Sequence, residues 1–282
     1  QLDAGRRADA ETVEVIPVTL LAEALREADC ILSLGARLGD SLTAGYELMN
    51  PREQGRRIIH VYPDPDEIGH LWRADPGIAA CPRAALKALA DAPAPRQWSD
   101  WTARLRANYE AWRQPKETPG AVKMERVLTW LSDNLPEDAI IANGAGNFAT
   151  FIHRYHQFKR VGTQLAPTSG SMGYGLPAAI AAKIAHPDRT VVCMAGDGCL
   201  QMTVNELSTA AQEGAAVIVI VANNGRYGTI RMHQEKHYPG RVSGTDLFNP
   251  DFPALVRAYG GHGELVTEGA EFAAAFTRAR DS

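Results

Sequence analysis

Two short apolar runs with polar tips constrain this chain more than any other feature. Residues 190–195 read as a buried strand that ends in Gly196-Asp197-Gly198. Residues 216–222 form a continuous, largely β-branched run that ends in Asn223-Asn224. Between them, 204–212 has helical spacing and stops at Gly214. Strand, helix, strand with such a short connection is a βαβ crossover, and nearly all such crossovers are right-handed. The two strands then run parallel, with both carboxyl ends on one edge of the sheet. Ligands of open α/β sheets lie outside that edge. Topology alone therefore brings Asp197 close to Asn224.

The chemistry of that pair suits a divalent cation holding a phosphate. Mg²⁺ takes hard oxygen ligands in an octahedron and commonly shares them with waters and phosphates. Asp197 offers a carboxylate, Asn224 an amide oxygen, and the main chain at Arg226 a carbonyl. Gly196 and Gly198 let the backbone come close to an anion. The N–H groups of Gly198 and Cys199 precede a helix and can face phosphate oxygens. Gly-Asp-Gly alone suits many turns, and Asn-Gly alone is an ordinary turn. The joint pattern, with one helix between the two tips, is far more specific.

The rest of the chain alternates in the same way. Residues 18–27 read as an amphipathic helix, 30–34 and 57–62 as strands, 78–81 as a short third strand, and 82–91 as a helix. Prolines at 93 and 95 break the pattern, and a second break falls at 115–120. Between the breaks, Trp101, Leu105, Tyr109 and Trp112 have helical spacing and predict a connecting helix over 98–112. Residues 124–134 read as a helix, 139–142 as a strand, 173–185 as a helix, and 251–259 and 270–280 as helices, with a strand at 264–266. The expectation is an α/β chain of two parallel-sheet domains with helices on both faces. They are residues 1–91 and 121–282, joined by 92–120. The first domain reads as incomplete at its start. The last helix has no strand after it, so the C-terminus reads as cut short.

Composition removes several classes. Lys and Arg number 29 against 33 Asp and Glu, a net charge of −4, which leaves no basic footprint for nucleic acid or a membrane surface. No apolar run approaches the ~20 residues that span a bilayer, and the first residues do not read as a signal peptide. Cys30, Cys81, Cys193 and Cys199 form no CxxC pair and lie in or near strand-like runs, so buried, reduced thiols are expected. A cytoplasmic location follows as an expectation. His153 and His156 read as an exposed helix face, and Lys236 and His237 as part of a polar loop.

The segment from Gly196 to Asn224 resembles the thiamine diphosphate (ThDP) signature. Ser169-Gly-Ser-Met-Gly-Tyr-Gly-Leu-Pro-Ala-Ala179, Gly244-Thr-Asp-Leu-Phe-Asn-Pro-Asp-Phe252, Ala258-Tyr-Gly260, Gly35-Ala-Arg-Leu38 and Asp64-Pro-Asp-Glu-Ile-Gly69 resemble the acetolactate synthase-like family of ThDP enzymes. By that resemblance, residues 1–91 are part of a middle domain and 121–282 the diphosphate-binding domain. Asp197, Asn224 and the Arg226 carbonyl would bind Mg²⁺. Gly196, Gly198, Cys199, Tyr227 and Gly228 would line the diphosphate, with Ala145 and Gly146 on the neighbouring loop. The Gly170 carbonyl would accept from the 4′-amino group, and Met172 would hold the cofactor bent. The bend lets the cofactor deprotonate its own thiazolium carbon and serve as electron sink for loss of CO₂ from a 2-keto acid.

Departures from the family shape the remaining expectations. The family's N-terminal domain supplies a glutamate to the pyrimidine ring, and no segment here reads as that domain. Another stretch of sequence or another chain would supply it, and these residues alone would show no turnover. Where relatives carry a VQWQ-like stretch, this chain reads Arg231-Met-His-Gln234, so His233 either faces substrate or is a solvated loop histidine. Tyr62 stands where the family carries an acid, although Asp64 is kept, and this counts against FAD. A homo-oligomer is implied by the family. The leading reading is ThDP- and Mg²⁺-dependent decarboxylation of a 2-keto acid, with or without carboligation. The alternatives are a noncatalytic ThDP-binding or assembly subunit and a simple 2-keto acid or oxalyl-CoA-type decarboxylase. A Rossmann dehydrogenase is disfavoured, since no GxGxxG follows a strand.

Overall fold

The structure is a computed structural model, and it describes residues 18–40, 42–90 and 98–282. The proline break at 93 and 95 and the unpatterned start of the chain lie outside the described residues. The chain divides into two compact units with the boundary after Trp112.

The first unit contains α1 (Val18–Glu27), β1 (Cys30–Leu34), β2 (Arg57–Tyr62), β3 (Gly77–Ala79), α2 (Pro82–Ala90) and α3 (Ser99–Trp112). The strands form a parallel sheet in the order β1-β2-β3. Among the described residues only β2 is interior to this sheet, and it carries the buried Ile58, His60 and Val61. This corrects the expectation of four buried thiols. Cys30 opens one edge strand and Cys81 follows the other, and both are exposed. An edge strand lacks a neighbour on one side, so an apolar run does not guarantee burial there. Helix α3 packs with α1 in this unit. Trp101 Nε1 donates to Glu27 Oε2 at 3.2 Å, and Arg104 pairs with the same carboxylate.

The second unit begins with α4 (Met124–Asn134), β4 (Ile140–Asn143), α5 (Phe148–Tyr155), β5 (Gln164–Leu165) and α6 (Gly175–Ala185). It continues with β6 (Val191–Gly196), α7 (Asp197–Gln201), α8 (Leu207–Gln212), β7 (Ile218–Ala222), α9 (Gly228–His237), α10 (Phe252–Ala258) and α11 (Phe272–Asp281). Its sheet is parallel in the order β5-β4-β6-β7. The strands are apolar on both faces, and the period of 2 divides them cleanly. Ile140, Ala142, Val191, Cys193 and Ala195 pack with α6 and Phe252 on one face. Ile141, Val192 and Met194 pack with α4, α5, Phe272 and Phe276 on the other. Burial on both faces is why these strands read as continuous apolar runs.

Some local expectations change. The crossover helix is broken into α7, a 3-10 turn at Val204–Glu206, and α8, and its first turn starts at Asp197 itself. Residues 264–266 form no strand. Val266 packs into the core, while the Glu264 carboxylate accepts from Arg278 Nε at 3.0 Å. The polar loop expected around Lys236 and His237 is helix α9, and Arg231 pairs with Glu235 one turn on. His153 is exposed on α5, but His156 is half-buried at its C-cap and edge-on to Phe158 at 4.7 Å. Burial, and secondarily the charge of Lys159, pushes the His156 pKa down to about 4.

Candidate active site

Parallel pairing places the two polar tips side by side. Gly196 is in register with Ala222, so Asp197 and Asn223-Asn224 leave the sheet at one edge. Asp197 is 2% exposed, and its Oδ2 accepts from Gly225 N at 2.7 Å and from Asn249 Nδ2 at 2.6 Å. Gly225 has φ +68°, a left-handed conformation that turns its N–H back towards Asp197. Asn224 Oδ1 accepts from Arg226 N at 3.2 Å and closes the same turn. A second segment laces over it. Tyr227 N donates to Thr245 O and Leu247 N to Gly225 O, both at 2.8 Å.

The segment carrying Met172 is stapled from the other side. Gly173 N donates to Cys199 Sγ at 3.1 Å, and Thr203 Oγ1 donates to Gly173 O at 2.8 Å. Gly170 and Gly173 both have positive φ, which gives the tight turn on which Met172 is presented.

These elements enclose a cavity of about 260 Å³. Ala145, Gly146, Gly170, Met172, Gly196, Asp197, Gly198, Cys199, Asn224, Arg226, Tyr227 and Gly228 all line it. Every residue named from sequence for the cofactor and metal is thus brought to one place. Among the described residues, Asp197 is the one carboxylate in the lining and Arg226 the one cation. His233 is not in the lining. It is exposed on α9, its ring parallel to His237 with centroids 5.9 Å apart.

Sequence reasoning missed several participants. Asn147, Phe148, Ala222, Thr229 and Ile230 also line the cavity. Asn147 and Thr229 flank motifs that were read, and their adjacency was the available signal. Asn249 lies inside a segment that was noted without a role. It donates to Asp197 Oδ2 and to Asn223 Oδ1 and accepts from Gln201 Nε2.

A parallel sheet whose strand tips gather these residues beside a cavity is that of an α/β protein with a ligand site at the carboxyl edge of its strands. Residues 144–282 match the family described as "Thiamine pyrophosphate enzyme, C-terminal TPP binding domain", and 12–89 match "Thiamine pyrophosphate enzyme, central domain". The chain belongs to the thiamine pyrophosphate enzymes. It is 33% identical over 252 residues to the acetolactate synthase large subunit of Parasynechococcus marenigrum, covering 87% of this chain and 40% of that protein. It is 32% identical over 247 residues to the acetolactate synthase isozyme 2 large subunit of Escherichia coli, covering 86% of this chain and 44% of that protein. Among solved structures it resembles the Rhodococcus jostii thiamine diphosphate-dependent 4-hydroxybenzoylformate decarboxylase. The TM-score is 0.71 at 26% identity, over 93% of this chain and 48% of that one. The chain therefore spans less than half the length of these relatives. Among the described residues, no helix is long and apolar enough to cross a membrane.

Proposed function

We propose that this chain holds the diphosphate end of ThDP through Mg²⁺ and takes part in decarboxylating a 2-keto acid. The observation that carries the reading is the buried Asp197 carboxylate in the wall of a glycine-rich cavity that Asn224 and Arg226 also line. A carboxylate, an amide oxygen and a carbonyl are the hard donors that Mg²⁺ selects. The glycine walls at Gly146, Gly196, Gly198 and Gly228 expose backbone to an anion, so the donor set fits a metal-bound diphosphate.

Asp197, Asn224 and the Arg226 carbonyl would hold the metal. The backbone at Gly198 and Cys199 would face phosphate oxygens. Met172 would support the bend of the cofactor, and the Gly170 carbonyl would accept from its amino group. When bound, ThDP would supply a carbon nucleophile and an electron sink for loss of CO₂ from a 2-keto acid. Phe148, Met172 and Ile230 make part of the wall apolar, which limits water there.

Acetolactate synthases join two carbonyl compounds, whereas the structural relative is named a decarboxylase. Both courses begin with loss of CO₂, so residues at the diphosphate do not separate them. Tyr62 at the family's acid position counts against FAD, and its Oη accepts from Arg37 at 3.3 Å. The pyrimidine end of the cofactor would be held by a further domain, in this or a partner subunit, within a soluble homo-oligomer. Residues 1–282 alone would then show no turnover.

Calorimetric titration with ThDP and Mg²⁺ tests the reading. Saturable binding in the wild type, lost in Asp197→Ala, is expected, and equal affinity in the two would overturn it. Product analysis with pyruvate, benzoylformate and oxalyl-CoA then separates carboligation from decarboxylation.

A further inference from the structure

We infer that Asn249 is the positioning residue that makes Asp197 bind its metal through one oxygen only. The inference rests on the Mg²⁺ reading above and concerns how that site selects its ion. Asn249 is half-buried and uses both ends of its amide. Nδ2 donates to Asp197 Oδ2 at 2.6 Å and to Asn223 Oδ1 at 2.8 Å, and Oδ1 accepts from Gln201 Nε2 at 2.6 Å. The network fixes the orientation of this amide. Rotated by half a turn, it would set its oxygen against two acceptor oxygens and its nitrogen against the Gln201 amide nitrogen.

The consequence falls on Asp197. Oδ2 already accepts from Gly225 N at 2.7 Å, so Asn249 gives that oxygen a second donor. Oδ1 accepts no hydrogen bond among the described residues. The carboxylate therefore has one saturated oxygen and one open oxygen. Mg²⁺ demands a near-ideal octahedron with oxygens at about 2.0–2.1 Å, whereas Ca²⁺ takes 6–8 oxygens and accepts carboxylates through both. A carboxylate limited to one oxygen suits the smaller ion. The same amide also engages Asn223, which explains the division of labour in the Asn223-Asn224 pair. The first asparagine is held by the strap at Asn249, and the second is in the cavity wall.

The test measures metal affinity in the intact protein at saturating ThDP, by calorimetric titration with Mg²⁺ and separately with Ca²⁺. Removing a partner that orients a metal ligand typically weakens the metal by about 10–100-fold. Asn249→Ala should lose Mg²⁺ affinity in that range and lose less for Ca²⁺, so the Mg²⁺-to-Ca²⁺ affinity ratio falls. Gln201→Ala, which removes only the bond that orients the Asn249 amide, should shift the ratio in the same direction by less. Should Asn249→Ala fold poorly, Gln201→Ala decides alone. An unchanged ratio, including a parallel loss for both ions, overturns the inference. A wild type that binds neither ion with ThDP overturns the cofactor reading instead.

Discussion

Thr229 and Asn147 hold each other by two hydrogen bonds across 82 positions of sequence. Asn147 N donates to Thr229 Oγ1 at 3.1 Å, and Thr229 Oγ1 donates to Asn147 Oδ1 at 2.9 Å. The pair ties the loop before α5 to the first turn of α9, and both residues line the cavity. It thereby fixes the separation of two cavity walls that no strand pairing connects.

Removing those bonds should weaken ThDP binding. Thr229→Val keeps the shape and loses both. At about 1 kcal/mol per bond, the two bonds come to about 2 kcal/mol, and ThDP affinity should fall roughly thirtyfold, since 1.4 kcal/mol is a factor of ten. Thr229→Ser keeps the hydroxyl and should bind as the wild type does. Calorimetry on the two variants checks this, and equal binding by Thr229→Val would remove the pair from the site.

Gly175 is required for packing rather than for flexibility. A Cβ there would lie 2.8 Å from Gly144 N and 3.1 Å from the carbonyl carbon of Asn143. Both are backbone atoms at the end of β4 and cannot step aside as a side chain can. Gly175→Ala should cost about 1–3 kcal/mol, the usual range for an overpacked core. A urea melt would show the lower midpoint.

The cysteines should divide by reactivity. Cys30 and Cys81 are exposed, while Cys193 is buried and its thiol is pushed up to about 12, chiefly by that burial. A thiol-specific disulfide reagent near neutral pH should modify Cys30 and Cys81 in the native protein. Cys193 should react only after denaturation, because the thiolate is the nucleophile. Peptide mapping of the labelled protein gives the answer, and native labelling of Cys193 would contradict it.

His156 should make stability depend on mildly acidic pH. Its pKa falls from an ordinary 6.5 to about 4 in the folded state, mainly through burial. The unfolded chain therefore binds the proton more readily between those values. Above about pH 6.5 the group is neutral in both states and adds no pH dependence. As the pH falls from there towards about 4, protons favour the unfolded state and stability is lost. The melting temperature of His156→Leu should fall less steeply across that window than that of the wild type.

Much of the site was legible because strand order does the long-range work. Gly196-Asp197-Gly198 and Asn223-Asn224 end consecutive strands, and a parallel crossover can deliver them only to one edge. Local pattern misled where side chains decide the outcome. His233 reads from sequence either as facing substrate or as a solvated loop histidine, although His233 and His237, with Arg231 and Glu235, lie at helical spacing and belong to α9. Residues 264–266 have an apolar end, yet Val266 is drawn into the core while Glu264 turns to Arg278. Asn249 had no legible role, because its three partners lie on α7 and at two strand ends.

The sequence by itself determined the two α/β halves, the parallel strands and the residue types gathered at one sheet edge. Those follow from periodicity and chain order, which act over a few residues or one crossover. The tertiary structure decided which Asp197 oxygen stays open, which cysteines are covered, and that Asn147 meets Thr229. Those outcomes depend on hydrogen bonds and packing between segments far apart in the chain. No local periodicity encodes them.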